Sequence, residues 1–285
     1  MNNIPIIGIG TNLHAYKSED ISQLLPIIDA GLKLGYTYID TGDIVDQNTI
    51  DIFQRLDESK IRRDKVFIST RVYDYTTPED FKLRIGKLGH IDLCNFGNVP
   101  ITTSRNTFNT VALKIWSGMI QLKESGLVKH LGIINFHYHQ AEIFFDLVKS
   151  KELELPTIAY IEIHPLNLQE RLVQFYRSHG LQIIAYSPLG SNGHDIYKDH
   201  EVIEQIRVDL GAENYIQAIL ATTLARGITV IPKTLNQEHL AQNLKALQYV
   251  DKVTQVHIDL LADINLESPL NNNTSNAIIA NNRLI

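Results

Sequence analysis

One cysteine in 285 residues rules out an internal disulfide, and with it the small disulfide-framed folds. Cys94 lies in a strand-like run, which suits a small buried residue better than a nucleophile. Basic residues are never massed: the formal charge is −6 and the pI about 6.0. Neither a nucleic-acid surface nor an anionic-membrane surface is therefore expected. Apolar runs do not exceed strand length, far short of the roughly 20 residues of a spanning helix. The first residues, MNNIPIIGIG, lack the basic start and cleavage site of a secretory leader, so a cytoplasmic location is expected. Linkers, repeats and low-complexity blocks are also missing, and residues 1–285 are expected to form a single domain. The Asn-rich end from about residue 266 (Asn271, Asn272, Asn273, Asn276, Asn281 and Asn282) is expected as a tail or as a flap over the fold.

What is present is a 44% hydrophobic chain in which short β-like runs alternate with helical stretches. The predicted strands are Ile4–Ile9, Tyr36–Asp40, Val66–Thr70, Ile91–Phe96, Val128–Ile134, Thr157–Ile163, Gln182–Tyr186 and Thr229–Ile231. Several are apolar throughout, as parallel strands covered on both faces must be. Between them, Ile21, Leu24, Leu25, Ile28 and Leu32 mark a buried helix face that stops at Gly35, with Pro26 kinking or restarting it. Thr77-Pro78-Glu79-Asp80 reads as an N-cap, a proline at the first helical position and acids in the first turn. Alternation of this kind permits an open doubly wound sheet as well as a barrel. Gly8-Ile9-Gly10 begins a dinucleotide fingerprint, but its third glycine would fall at Leu13, so that reading fails. Eight strands is the number that closes a (β/α)8 TIM barrel.

Six segments in order carry a resemblance that spans nearly the whole chain. They are Gly8-Ile9-Gly10-Thr11; GYTYIDTGDIVDQN from Gly35; WSGMIQLKESGLVKHLGIINF from Trp116; IEIHPLNLQERLVQF from Ile161; IIAYSPLGS from Ile183; and RGITVIPKTLNQEHLAQNL from Arg226. Together they resemble the aldo-keto reductases, which implies a (β/α)8 barrel with its site at the C-terminal ends of the strands. Active members of that family use a tyrosine as general acid, a lysine and an aspartate that adjust it, and a histidine that orients the carbonyl. A phenol of pKa near 10 needs such neighbours to donate at neutral pH. The resemblance places that aspartate at Asp40, but Val45 stands at the tyrosine position, Arg71 at the lysine position and Asn98 at the histidine position. No tyrosine occurs between Thr41 and Ile50, and Lys65 and His90 precede their strands, at the opposite barrel face. Asp40 and Arg71 are expected as an ion pair in the barrel mouth, the alternative being that Arg71 anchors a carboxylate or phosphate.

The resemblance further implies an NADP(H) site. Tyr186 stands where a ring stacks on the nicotinamide, and Asn135 where an asparagine holds the carboxamide. Ser187, Leu189 and Ser191 match the stretch over the pyrophosphate. Lys233 and Thr234 match the pair that recognises the 2′-phosphate, and Asn243 an adenine-side residue. Departures are Ile134 for a serine, Tyr160 for a glutamine of the carboxamide site, and His239 for an arginine of the phosphate site. Tyr160 is either a substitute acid or a packing residue. His164 reads as structural, and His137 with His139 lacks the further ligands of a metal site. Asp43 and Asp46 are expected in solvent. Three readings of function follow: a barrel repurposed for a non-standard reaction on a small molecule, redox-neutral chemistry among the options; an inactive NADP(H)-binding or regulatory protein; and a weak NADPH-dependent carbonyl reductase with a substitute proton donor. A small-molecule ligand is expected, and a protein partner is left open.

Overall fold

A strand that is apolar at every position has no face for water, and these strands solve the problem by pairing side by side under a ring of helices. The computed structural model describes residues 4–11, 21–44, 47–58, 62–97 and 104–267. Its strands are β1 (Ile9–Gly10), β2 (Tyr38–Asp43), β3 (Phe67–Val72), β4 (Ile91–Phe96), β5 (Val128–Ile134), β6 (Ile158–Glu162), β7 (Gln182–Tyr186) and β8 (Thr229–Ile231). Each pairs in parallel with the next in chain order. Closure comes from an Ile7–Val230 bridge, with the Gly8 and Gly10 amides donating to the Val230 and Pro232 carbonyls. The chain therefore folds as a (β/α)8 barrel.

Four of the eight strands keep the expected bounds, and the other four differ from them. β1 is shorter than the apolar run Ile4–Ile9, and close packing occupies its flanks. A Cβ on Gly8 would lie 2.7 Å from the Tyr38 ring, and one on Gly10 would lie 2.8 Å from the Ile231 carbonyl oxygen. β2 and β3 extend past their apolar runs because their polar ends pair with each other. The Thr41 hydroxyl donates to the Ser69 carbonyl (2.9 Å) and the Thr70 hydroxyl to the Gly42 carbonyl (2.8 Å). β6 gives up one residue at each end of its predicted run.

The helices that matter to the site are α1 (Ile21–Leu34), α2 (Gln47–Glu58), α3 (Pro78–Ile85), α4 (Arg105–Glu124), α5 (Tyr138–Ser150), α6 (Glu170–Ser178), α7 (Glu201–Leu210), α8 (Tyr215–Ala225) and α9 (Gln237–Lys245). Pro26 sits inside α1 without dividing it, and Gly35 (φ 98°) follows its end. The Thr77 hydroxyl caps α3 by accepting from the Asp80 amide. Two hydrophobic layers belong to the barrel itself, besides a third cluster on α7 and α8 that includes Ile203, Ile206, Ala218 and Ile219. The larger lies between strands and helices and includes Trp116, Phe96, Phe136 and Phe144. The smaller fills the barrel: Ile4, Tyr38, Leu93, Ile134, Ile158, Tyr160, Ile184 and Ile231. This inner layer sets the alternation, so that Asp40, Ser69, Arg71, Asn95 and Gly97 also face inward.

At the N-terminal ends of the strands an ionic cluster ties β3, β4 and β5 together. Asp92 accepts from Arg63 Nη2 (2.6 Å), Lys129 Nζ (2.9 Å) and the Ile68 amide (2.9 Å). His90 lies there too, its Nε2 3.8 Å from Asp92. Burial raises the Asp92 carboxyl, but Arg63, Lys129 and the amide outweigh it and hold the group below its ordinary value.

Candidate active site

Asp40 sits inside the barrel near the C-terminal end of β2 and is 3% exposed. Its Oδ1 accepts from Ser69 Oγ (2.7 Å), and its Oδ2 faces Arg71 Nη2 at 3.4 Å. Burial raises the Asp40 carboxyl; Arg71 and Ser69 oppose this without cancelling it. For Arg71, burial works against its charge, but Asp40, Tyr73 and Asp43 prevail and keep the guanidinium protonated. The expected ion pair is present.

Beneath the pair lies a hydroxyl network. Tyr160 Oη donates to Ser69 Oγ (2.9 Å), Tyr38 Oη lies 3.2 Å from the same atom, and the two phenols also hydrogen-bond to each other. Tyr160 is 1% exposed, and burial pushes its phenol well above the usual tyrosine range. The hydroxyls thus run from two tyrosines through Ser69 to a carboxylate, each partnered, an arrangement that fixes side chains in a dry interior. Sequence reasoning singled out Asp40, Arg71 and Tyr160 but missed Ser69 and Tyr38. The two-residue period of β2 and β3 carried the signal, since Tyr38 precedes Asp40 by two and Ser69 precedes Arg71 by two.

The same period reaches Tyr73, just past the end of β3. Its phenol interacts electrostatically with Arg71, and it is 43% exposed. Its ring lies over Gly97, where an added Cβ would be 2.3 Å from Tyr73 Cδ1. Asp43 was expected in solvent; it is half-buried, because a bulge in β2 between Asp40 and Asp43 sets it opposite Arg71. Val45, Asp46, Asn98 and the Asn-rich end beyond residue 267 lie outside the described residues.

A second set of polar groups gathers where β7 and β8 end. Half-buried Tyr186 donates through its hydroxyl to Asn135 Oδ1, and Asn135 holds a left-handed backbone (φ 61°). Ser187 and Ser191 also have positive φ (46° and 53°), and Ser191 Oγ donates to Ser187 Oγ at 2.7 Å. Leu189, between them, packs against the strand–helix layer and against the cluster on α7 and α8. After β8 come Lys233 and Thr234, both half-buried; Thr234 Oγ1 lies 3.3 Å from His239 Nδ1 and accepts from the Asn236 amide. Asn236 caps α9, which carries His239 on its exposed side and Asn243 buried. A lysine, a hydroxyl and a helix N-terminus in one place form a donor set that suits a phosphate.

Other candidates are accounted for by packing. His164 Nδ1 and the Tyr197 hydroxyl are 2.8 Å apart, and His164 Nε2 lies 3.4 Å from Glu162 Oε1, all buried. His137 caps α5, and His139 is exposed. The Cys94 thiol is buried, and desolvation pushes it far up. Among the described residues no three His, Cys, Asp or Glu side chains could hold a metal ion, and no helix is long and apolar enough to cross a membrane.

Comparison with known proteins agrees with this geometry. The sequence profile of the "Aldo/keto reductase family" matches residues 6–261. An aldose reductase of Encephalitozoon cuniculi is 31% identical over 264 residues, 85% of this chain and 84% of that protein. An aldehyde reductase of Saccharomyces cerevisiae is 28% identical over 269 residues, 85% of this chain and 83% of that one. A crystal structure of a Bombyx mori aldo-keto reductase in complex with NADP superposes with a TM-score of 0.80 at 25% identity, covering 95% of this chain and 92% of that one.

Proposed function

Because the chain belongs to the aldo/keto reductase family, we propose that it binds NADP(H) across the ends of β7 and β8 and reduces a small carbonyl compound at the Arg71 end of the mouth. The observation that carries this reading is the buried Asp40–Arg71 pair, which fixes a guanidinium donor at the barrel mouth for a carbonyl oxygen that gains negative charge on reduction. The cofactor residues support it. Lys233, Thr234 and the start of α9 would hold the 2′-phosphate, with His239 beside Thr234. Ser187, Leu189 and Ser191 would cover the pyrophosphate, Asn243 would meet the adenine, and the Tyr186 ring, held by Asn135, would cover the nicotinamide. The bound cofactor supplies a hydride. Arg71 draws the carbonyl oxygen, while Asp40 and Ser69 hold Arg71 at a fixed angle and keep the pocket floor dry. Tyr160 does not serve as the acid in this reading, since its hydroxyl is committed to Ser69 and Tyr38 below the pair.

A second reading, redox-neutral chemistry on the same barrel, is favoured by the sequence resemblance, which puts Val45 at the family's tyrosine position. Two assays separate them. Purified protein is given NADPH and a panel of small aldehydes and ketones, and the reduced-nicotinamide absorbance is followed. Carbonyl-dependent consumption supports the reductase. Product formation with no net change in nicotinamide absorbance supports the second reading, and cofactor binding without any turnover supports an NADP(H)-sensing protein.

A further inference from the structure

We propose that Tyr73 is the proton donor of this site. The proposal rests on the reductase reading and adds the group that reading lacks. Ser69 and Arg71 are spaced by two on β3, and Tyr73 follows at the same spacing one residue past the strand end, so its ring continues the inward row at the mouth. The Tyr73 phenol and the Arg71 guanidinium interact electrostatically. A guanidinium can only donate, so no contact with Arg71 engages the phenol's own O–H, which is left for another partner. The other tyrosines described nearby are committed: Tyr160 to Ser69, Tyr186 to Asn135, and Tyr75 to Gln121 Oε1 at 3.3 Å. Tyr73 is also within reach of a ligand, being 43% exposed where Tyr160 is 1%. Its position is built for it. Gly97, at the end of β4, has no side chain, and the Tyr73 ring fills the space that even a Cβ there would need.

The step balances as follows. Hydride delivered from the reduced nicotinamide forms the new C–H bond at the carbonyl carbon, and the C=O π pair moves onto oxygen. That oxygen takes the Tyr73 proton, giving an alcohol and oxidised cofactor. The phenolate left behind sits on the Arg71 charge, which Asp40 orients, and regains a proton from water.

The test needs no turnover. Benzaldehyde with an isotopically labelled carbonyl is bound to protein holding NADP+, which cannot donate hydride, and its C=O stretch is read by isotope-edited infrared spectroscopy. NADP+ binding is measured on the same samples by calorimetry. Wild type is expected to lower the stretch frequency, Tyr73→Phe to return it toward the free value, and Tyr75→Phe to leave the shift intact. Tyr73→Phe keeps the ring over Gly97, and unchanged Trp116 fluorescence checks the fold. Turnover of an active aldehyde should fall about 10²–10⁴-fold in kcat in Tyr73→Phe, with a smaller change in KM. An equal carbonyl shift in wild type and Tyr73→Phe overturns the proposal, as does the absence of any bound-carbonyl band in wild type. If NADP+ fails to bind, the cofactor reading falls separately, and the carbonyl band of the cofactor-free protein decides the role of Tyr73 by the same comparison.

Discussion

Replacing Arg71 by methionine strands a carboxylate inside the barrel. The Asp40 side chain is 4% exposed and that of Arg71 9%, so neither charge has water to replace its partner. Removing one member of such a pair costs roughly 3–5 kcal/mol. Two effects soften the loss. Ser69 still donates to Asp40, and Asp40 can take up a proton, because burial already raises its carboxyl. The sign of the pH dependence follows from that direction. A carboxyl raised in the folded state contributes its stability below the unfolded value, about 3.9, and loses it as pH rises through the folded value. Arg71→Met removes the charge that opposes this rise, so the variant should lose more stability at pH 8 than at pH 5. Urea unfolding followed by Trp116 fluorescence reads this directly, since the lone tryptophan is fully buried. Adding Asp40→Asn to Arg71→Met should recover at least half of the loss, because the amide still accepts from Ser69 and carries no charge. A loss under about 1 kcal/mol at pH 8, against the figure for a buried pair, or no recovery in the double variant, would refute the reasoning.

Three further outcomes are expected. Asp92, held low by Arg63 and Lys129, contributes stability above about pH 4 that is lost as pH falls through its folded value; Asp92→Asn should cost roughly 2–4 kcal/mol at neutral pH and flatten the acid limb of the unfolding profile. Gly132→Ala would bring a Cβ to 2.2 Å from Asn95 Oδ1 and 3.1 Å from the Ile158 carbonyl, and should destabilise by roughly 1–3 kcal/mol in the same assay. Lys233→Met should weaken NADP+ binding about 10–100-fold by calorimetry and change NAD+ binding little, as loss of one charge-assisted contact to a phosphate requires.

The barrel was legible because its strands β4, β5, β7 and β8 are bounded apolar runs, and periodicity marks such runs well. β2 and β3 were cut short because Thr41, Gly42, Asp43 and Arg71 look like loop residues; their partners lie on the adjacent strand, about 30 positions away in sequence, and polarity alone cannot show that. The site was half legible for the same reason. Asp40 and Arg71 stood out at strand ends, whereas Ser69 and Tyr38 became visible only once alternation placed them beneath the pair. Tyr73 was missed because its meaning depends on Gly97, and the contact between them joins two strands. A motif describes which residues stand at matched positions. It does not reveal a side chain that has entered from a neighbouring one.

The central claim is that this barrel holds NADP(H), with Lys233 and Thr234 reading the 2′-phosphate. Calorimetric titration of the purified protein with NADP+ and, separately, with NAD+ tests it most directly. The account predicts saturable NADP+ binding at least about tenfold tighter than NAD+, the value of one charged contact. Equal affinity for the two would contradict the assignment of Lys233, and no binding of either at millimolar concentration would contradict the claim as a whole.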